Sequence, residues 1–298
     1  MKRIILTGLS FLLLVSCEKR LNQALKSTDK DFILKVAEEY ETKKRYTQAI
    51  SLYEYATKFV VGTDEAPEVA YRNAYLNYLD KNYRLAAHQF KNFVLSYPKD
   101  SRAHDAAYMI AYCHYVDSPD YNLDQTNTHD ALIELQSYID TYPNSDKIAE
   151  CNRMMDDLTR KLEKKAFENA KTLYKITEYK AAIISFDNVL EDFPDTKLRE
   201  EVLIYLLRAK TELAANSIHR LQNDRINDAV NSYNNFIRLF PNSGYSDEAK
   251  RLNNRLDNAR ITYQTRENAI KEAADNSQSD DNPQSEEKRK DKEKNKIS

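Results

Sequence analysis

Asn82-Tyr-Arg-Leu-Ala-Ala-His-Gln-Phe-Lys-Asn-Phe-Val-Leu-Ser-Tyr-Pro-Lys-Asp-Ser101 is the stretch that decides the fold. Ala86, Phe90 and Phe93 follow one another at spacings of four and three, which places them on one face of an α-helix. Pro98 then ends that helix, because its ring has no N–H to donate and it pushes Tyr97 out of the α region. The same arrangement returns as Ala131, Leu135 and Tyr138 before Tyr142-Pro143, and as Ala182, Phe186 and Val189 before Phe193-Pro194. It returns again as Ala229, Tyr233 and Phe236 before Phe240-Pro241. A degenerate first copy reads Ala49, Tyr53 and Ala56, with Val61 at the proline position.

A second helical pattern lies upstream of these copies: Ala37 with Tyr40, Ala74 with Tyr78, and Ala170 with Tyr174. In each case the first alanine lies 12 positions before the second (Ala37 and Ala49, Ala74 and Ala86, Ala170 and Ala182). Two antiparallel helices approach closely where both carry small residues, and aromatics fill the space around them. The unit resembles the tetratricopeptide repeat, a helix–turn–helix of about 34 residues. The prolines are 45, 51 and 47 apart (143−98, 194−143, 241−194), so extra residues sit within or between units. The expected fold is all-α: a right-handed superhelical stack of about five tetratricopeptide-like helix pairs with a C-terminal capping helix.

Composition agrees. The 298 residues include only 3 Gly, 7 Pro and no Trp. That argues against a dinucleotide-binding sheet or a phosphate loop, both of which need glycine for special backbone angles. The 21 Tyr and 10 Phe suit helix pairs packed on amphipathic rings. A formal net charge of −2 gives no basic stripe for nucleic acid.

In chain order, Lys2 and Arg3 precede an apolar run, Ile4 to Val15, that is too short to span a bilayer. It ends in Leu14-Val15-Ser16-Cys17, which resembles the bacterial lipobox. That resemblance makes 1–16 a lipoprotein signal peptide, Cys17 the lipidated residue and 17–28 a polar tether. Repeats one to three are expected over 29–143, with Ser101 capping the helix that follows it and an inserted loop over Asp117–His129. Repeats four and five with the capping helix are expected over 144–263. A charged, mostly disordered tail is expected over 264–298, being almost free of apolar residues toward its end.

No metal-ligand spacing, catalytic triad or nucleophile elbow is visible, so neither cofactor nor enzymatic activity is expected. Cys113 lies on an apolar helix face, which points to a buried free thiol, although a periplasmic setting would permit a disulfide with Cys151. Tyr40, Tyr71 and Tyr75 lie on first helices, where a peptide groove would form in this repeat class.

A lipobox followed by long tetratricopeptide-like units resembles the BamD family, lipoproteins of the outer-membrane β-barrel assembly machinery. The resemblance rests on Tyr46-x-x-Ala49, Phe93-x-x-x-Tyr97-Pro98, the insertion before Ala131, Tyr138-x-x-x-Tyr142-Pro143-Asn144-Ser145, and Asp192-Phe193-Pro194-Asp195-Thr196-x-x-Arg199. It implies a non-enzymatic scaffold, anchored to the outer membrane and facing the periplasm. It further implies that the C-terminal repeats bind the periplasmic POTRA domains of the barrel subunit, with Arg199 meeting an acidic residue there. The N-terminal repeats would receive unfolded outer-membrane proteins. The alternative is a periplasmic scaffold of the same repeat type serving cell-wall or polysaccharide-export enzymes. A sugar-binding lipoprotein would need Trp platforms, and the chain has no Trp.

Overall fold

The computed structural model describes residues 19–280, with side chains to Ala274. The signal peptide expected over 1–16 and the lipidation expected at Cys17 lie outside the described residues. Among those residues the fold is all-α, without strands. It comprises α1 (Lys30–Thr42), α2 (Tyr46–Val60), α3 (Ala66–Leu79), α4 (Tyr83–Ser96), α5 (Ala103–Asp117), α6 (Thr126–Thr141), α7 (Ile148–Lys175), α8 (Tyr179–Asp192), α9 (Arg199–Ala215), α10 (His219–Leu239) and α11 (Ser246–Asp280). The described residues fall into two compact units, divided between Leu162 and Glu163.

In the first unit each helix from α1 to α6 packs on the next one in sequence, as short connections require. The alanines do what their spacing implies: Ala37, Ala49, Ala74, Ala86 and Ala131 are all fully buried. Large rings surround them, with Tyr53, Phe90 and Phe93 at most 2% exposed. Residues 148–162 of α7 complete this core through Cys151, Met154 and Leu158. In the second unit the later part of α7 contributes Phe167 and Ala170. There α9 is buried or half-buried along its whole length and packs against α8, α10 and α11.

Two kinds of turn alternate. Within helix pairs, Lys44, Lys81 and Thr177 adopt left-handed φ values of 55°, 65° and 65°. Arg45 N–H then reaches back to Tyr40 O (2.9 Å), Asn82 to Asn77 O (2.9 Å) and Glu178 to Leu173 O (3.0 Å), the Schellman way of satisfying the last carbonyls. Between pairs, the residue before each proline (Tyr97, Tyr142, Phe193 and Phe240) closes its helix with φ between −126° and −131°. Two positions after each proline a side-chain oxygen accepts from the backbone two residues on. These bonds are Arg102 N–H to Asp100 Oδ1 (2.9 Å), Lys147 to Ser145 Oγ (3.1 Å), Leu198 to Thr196 Oγ1 (2.9 Å) and Tyr245 to Ser243 Oγ (2.9 Å).

Several expectations are corrected. Asp100, not Ser101, supplies that bond before α5, because its carboxylate stands at the position that serves in all four turns. The inserted loop is shorter than Asp117–His129, since α5 runs through Asp117 and α6 begins at Thr126. Gln125 organises it by donating from Nε2 to Asp120 O (2.8 Å) and Leu123 O (3.0 Å). The polar tether expected over 17–28 is helical at 19–24 and docked, with Ala24 fully buried and Leu21 and Leu25 packed on the first core. The tail expected from 264 onward is helical over its described residues, 264–280.

Candidate functional site

The first unit carries a ridge of tyrosines on α3 and α5, the first helices of their repeats. Tyr71 and Tyr75 are one helical turn apart and stack with ring centroids 6.4 Å apart and planes 7° from parallel. Tyr75 leads to Tyr78 (5.8 Å), Tyr78 to Tyr112 (5.9 Å), and Tyr112 to Tyr108 (5.8 Å) and Tyr115 (6.2 Å). Tyr108 then meets Tyr138 edge-on at 5.7 Å. Tyr71 is anchored from beneath by Phe90 and Phe93, while Tyr75 keeps 39% of its surface exposed. Burial and the neighbouring Tyr112 push the Tyr78 hydroxyl up to about 12, so it stays protonated as a hydrogen-bond donor at neutral pH. The ridge offers flat apolar faces edged with hydroxyls, which suits an extended aromatic-rich peptide.

A ladder of charge stands beside it, built from residues 34 apart. Arg72 reaches back to Glu38 (3.4 Å) and Glu41 (3.3 Å), pairs with Glu68, and donates to the Tyr53 hydroxyl (3.1 Å). Arg102 holds the same Glu68 and clamps Asp100, while its guanidinium lies 5.2 Å from the Tyr71 ring centroid. Tyr71 donates its hydroxyl to Asp105. Burial would raise the Glu68 carboxyl, but the two arginines hold it below its ordinary value. The bond from Arg102 holds Asp100 down at about 2. The charged members, Glu38, Glu41, Glu68, Arg72, Asp100, Arg102 and Asp105, were not read from the sequence as a site, although the recurrence of Arg and Glu at the repeat period was the available signal.

Among the expected groove residues, Tyr71 and Tyr75 come together and Tyr40 does not. Tyr40 is 3% exposed inside the first core, a helix-packing residue and not a ligand contact. A cavity of about 350 Å³ opens elsewhere in this unit between α4, α5 and α6. Its lining mixes Arg84 and Lys91 with Asp130 and Glu134, and Lys91 pairs with Glu134 at 3.2 Å. It therefore selects no ligand charge.

In the second unit Arg199 is the first residue of α9 and donates to the Pro194 carbonyl across the turn. No carboxylate among the described residues lies within 4 Å of it. A cation at a helix N-terminus opposes the helix dipole, so this placement contributes nothing to helix stability. The turn beneath is held rigid: buried Thr196 donates to the Glu163 carboxylate while accepting from Leu198 N–H. Cys113 and Cys151 are both buried and free, and burial pushes the Cys113 thiol up to about 12, outside the reactive range. Among the described residues no group of three or more His, Cys, Asp or Glu could hold a metal ion, and no helix is long and apolar enough to cross a membrane.

A family model described as YfiO, outer membrane lipoprotein, matches residues 26–225. The chain belongs to this family. Among its relatives, the outer membrane protein assembly factor BamD of Caulobacter vibrioides is 28% identical over 180 residues, covering 60% of this chain. The chain spans 56% of that relative's length. Of solved structures, the TPR2AB domain of yeast Sti1 in its pHSP90 complex aligns with 76% of this chain and 98% of its own. Its identity is 11% and its TM-score 0.36, too low to carry an argument. The match to the YfiO family takes in α1 to α9, and therefore both the tyrosine ridge and Arg199.

Proposed function

We propose that this chain is a non-enzymatic scaffold of outer-membrane protein assembly, anchored through acylated Cys17 and facing the periplasm. The observation that carries this reading is the outer membrane lipoprotein family match across residues 26–225. The relative named as an assembly factor supports the same process. In this reading the ridge of Tyr71, Tyr75, Tyr78 and Tyr112 receives the terminal strand of an unfolded β-barrel protein by aromatic packing. Arg199 presents its planar fork to an acidic residue of a POTRA domain on the barrel subunit.

Two substitutions test the two ends. Cys17→Ala should release the protein from the outer-membrane fraction, and retention there contradicts the anchor. Arg199→Glu should abolish capture of the barrel subunit while leaving the helical circular-dichroism signal intact. Undiminished capture removes Arg199 from the contact.

A further inference from the structure

The segment that follows Cys17 leaves the first repeat almost no slack. Residues 19–24 are helical and, with Leu25 of the following turn, sit on the first core through Leu21, Ala24 and Leu25. Arg20 fixes their start by gripping Glu39 with two hydrogen bonds of 2.6 and 2.8 Å. Glu39 lies in the last turn of α1, and its carbonyl accepts from Lys43 N–H (3.3 Å). The beginning of the docked segment therefore lies at the same end of the first helix pair as the turn Lys43-Lys44-Arg45. A single residue, Glu18, separates Lys19 from Cys17, so their two chain steps span at most about 7 Å.

That end of the helix pair is cationic in a way its counterparts are not. Lys19, Lys43 and Lys44 are exposed and Arg45 is half-buried, and none of the four has an ion-pair partner among the described residues. The neighbouring acids are held by other cations: Glu38 and Glu41 by Arg72, and Glu39 by hydrogen bonds from Arg20, with Lys43 adding only a longer-range attraction to it. The equivalent turns read Asp80-Lys81-Asn82 and Ile176-Thr177-Glu178, without a run of like charge. Lys44 holds a left-handed φ of 55°, as Lys81 does in the second turn at 65°, so it is the flanking Lys43 and Arg45, and not the backbone, that set this turn apart.

We propose that the Lys43-Lys44-Arg45 turn, with Lys19, rests on anionic phospholipid headgroups and so orients the first repeat against the bilayer. The inference rests on the Cys17 anchor. The acyl chains hold the protein at the membrane, and the cationic turn sets which end of the helix pair faces it. Attraction of this kind needs an anionic surface and weakens with salt, because basic side chains act within a Debye length of the headgroups.

The test uses the mature, full-length acylated protein carrying Thr42→Cys, labelled with a fluorophore at the exposed end of α1. It is placed in phosphatidylcholine vesicles with or without phosphatidylglycerol, both containing a headgroup-nitroxide lipid as quencher. The expected result is strong quenching only with phosphatidylglycerol, lost at high salt and lost in the Lys43→Gln, Lys44→Gln, Arg45→Gln variant. Lys43→Glu alone, with unchanged circular dichroism, should weaken it. Equal quenching in both vesicles, or quenching unchanged in the neutralised variant, overturns the proposal while leaving the anchor intact. An intact mass showing Cys17 unacylated overturns the anchor and this proposal together.

Discussion

Tyr75 in the first unit and Tyr205 in the second both sit on first helices, yet the chain uses them differently. Tyr75 stacks on Tyr71 and keeps 39% of its surface exposed on an open ridge. Tyr205 lies under the Arg208 guanidinium, 4.4 Å from its centroid, and Arg208 is fixed in turn by two bonds to Glu248 of 2.6 and 2.7 Å. First helices thus carry a ring open to solvent in one unit and a ring roofed by a clamped cation in the other. The difference lies in the neighbouring charges. Arg72 and Arg102 are occupied by the ladder of glutamates and by Asp100. Of the two, Arg102 alone leans over the ridge, at its Tyr71 end, while Lys147 covers Tyr108 at the other end and Tyr75 has no cation over it among the described residues.

This contrast can be broken in several ways, beginning with the repeat core of the first unit. Phe90→Ala should destabilise by about 3–5 kcal/mol, read by urea denaturation, because a fully buried ring leaves a cavity among packed alanines. A loss no larger than that of an exposed substitution would deny the repeat core. Arg72→Ala should cost about 0.5–1 kcal/mol, since it leaves Glu38 and Glu41 without a cation while Glu68 keeps Arg102, and these partly exposed pairs are screened by solvent. A neutral outcome would mean that the ladder is decoration.

The pH dependence follows from Asp100. Its folded-state value, near 2, lies below the ordinary 3.8, so the folded protein binds fewer protons than the unfolded chain between those values. Its contribution is therefore present above about pH 4 and is lost as pH falls toward 2. Arg102→Gln should flatten that part of the stability curve, measured by thermal melts across the range. Arg199→Glu should raise stability slightly, by about 0.3–1 kcal/mol, because an acid suits a helix N-terminus better than a cation does. A substitution that stabilises the fold and abolishes partner capture would separate function from folding at that residue. Smallest of all, Tyr75→Ala should change stability by less than about 0.5 kcal/mol, while removing binding of a barrel-terminal peptide measured by fluorescence anisotropy. A large stability loss would return Tyr75 to the core.

The repeat architecture was legible because it depends on strong local signals. Ala–Ala spacing marked where helices touch, and each aromatic–proline pair marked a helix end; both recur in the structure at the residues that carried them. Tyr40 was misplaced because an aromatic on a first helix reads the same whether it faces the partner helix or the open surface. Only the packing of α1 on α2 decides that. The docked helix at 19–24 escaped notice because Leu21, Ala24 and Leu25 form an apolar face shorter than two turns. The continuation of α11 beyond 263 follows from good helix formers such as Ala269, Lys271, Glu272 and Ala273, which sustain a helix without burying a stripe. The ladder was hidden for another reason. Its members are ordinary surface residues until the repeat period brings positions 34 apart into contact.

The most direct measurement is an affinity pull-down of the tagged chain from detergent-solubilised membranes, read by mass spectrometry. The account predicts recovery of a barrel protein carrying POTRA domains, diminished by Arg199→Glu. Recovery of peptidoglycan synthases or exporter components in its place would contradict it.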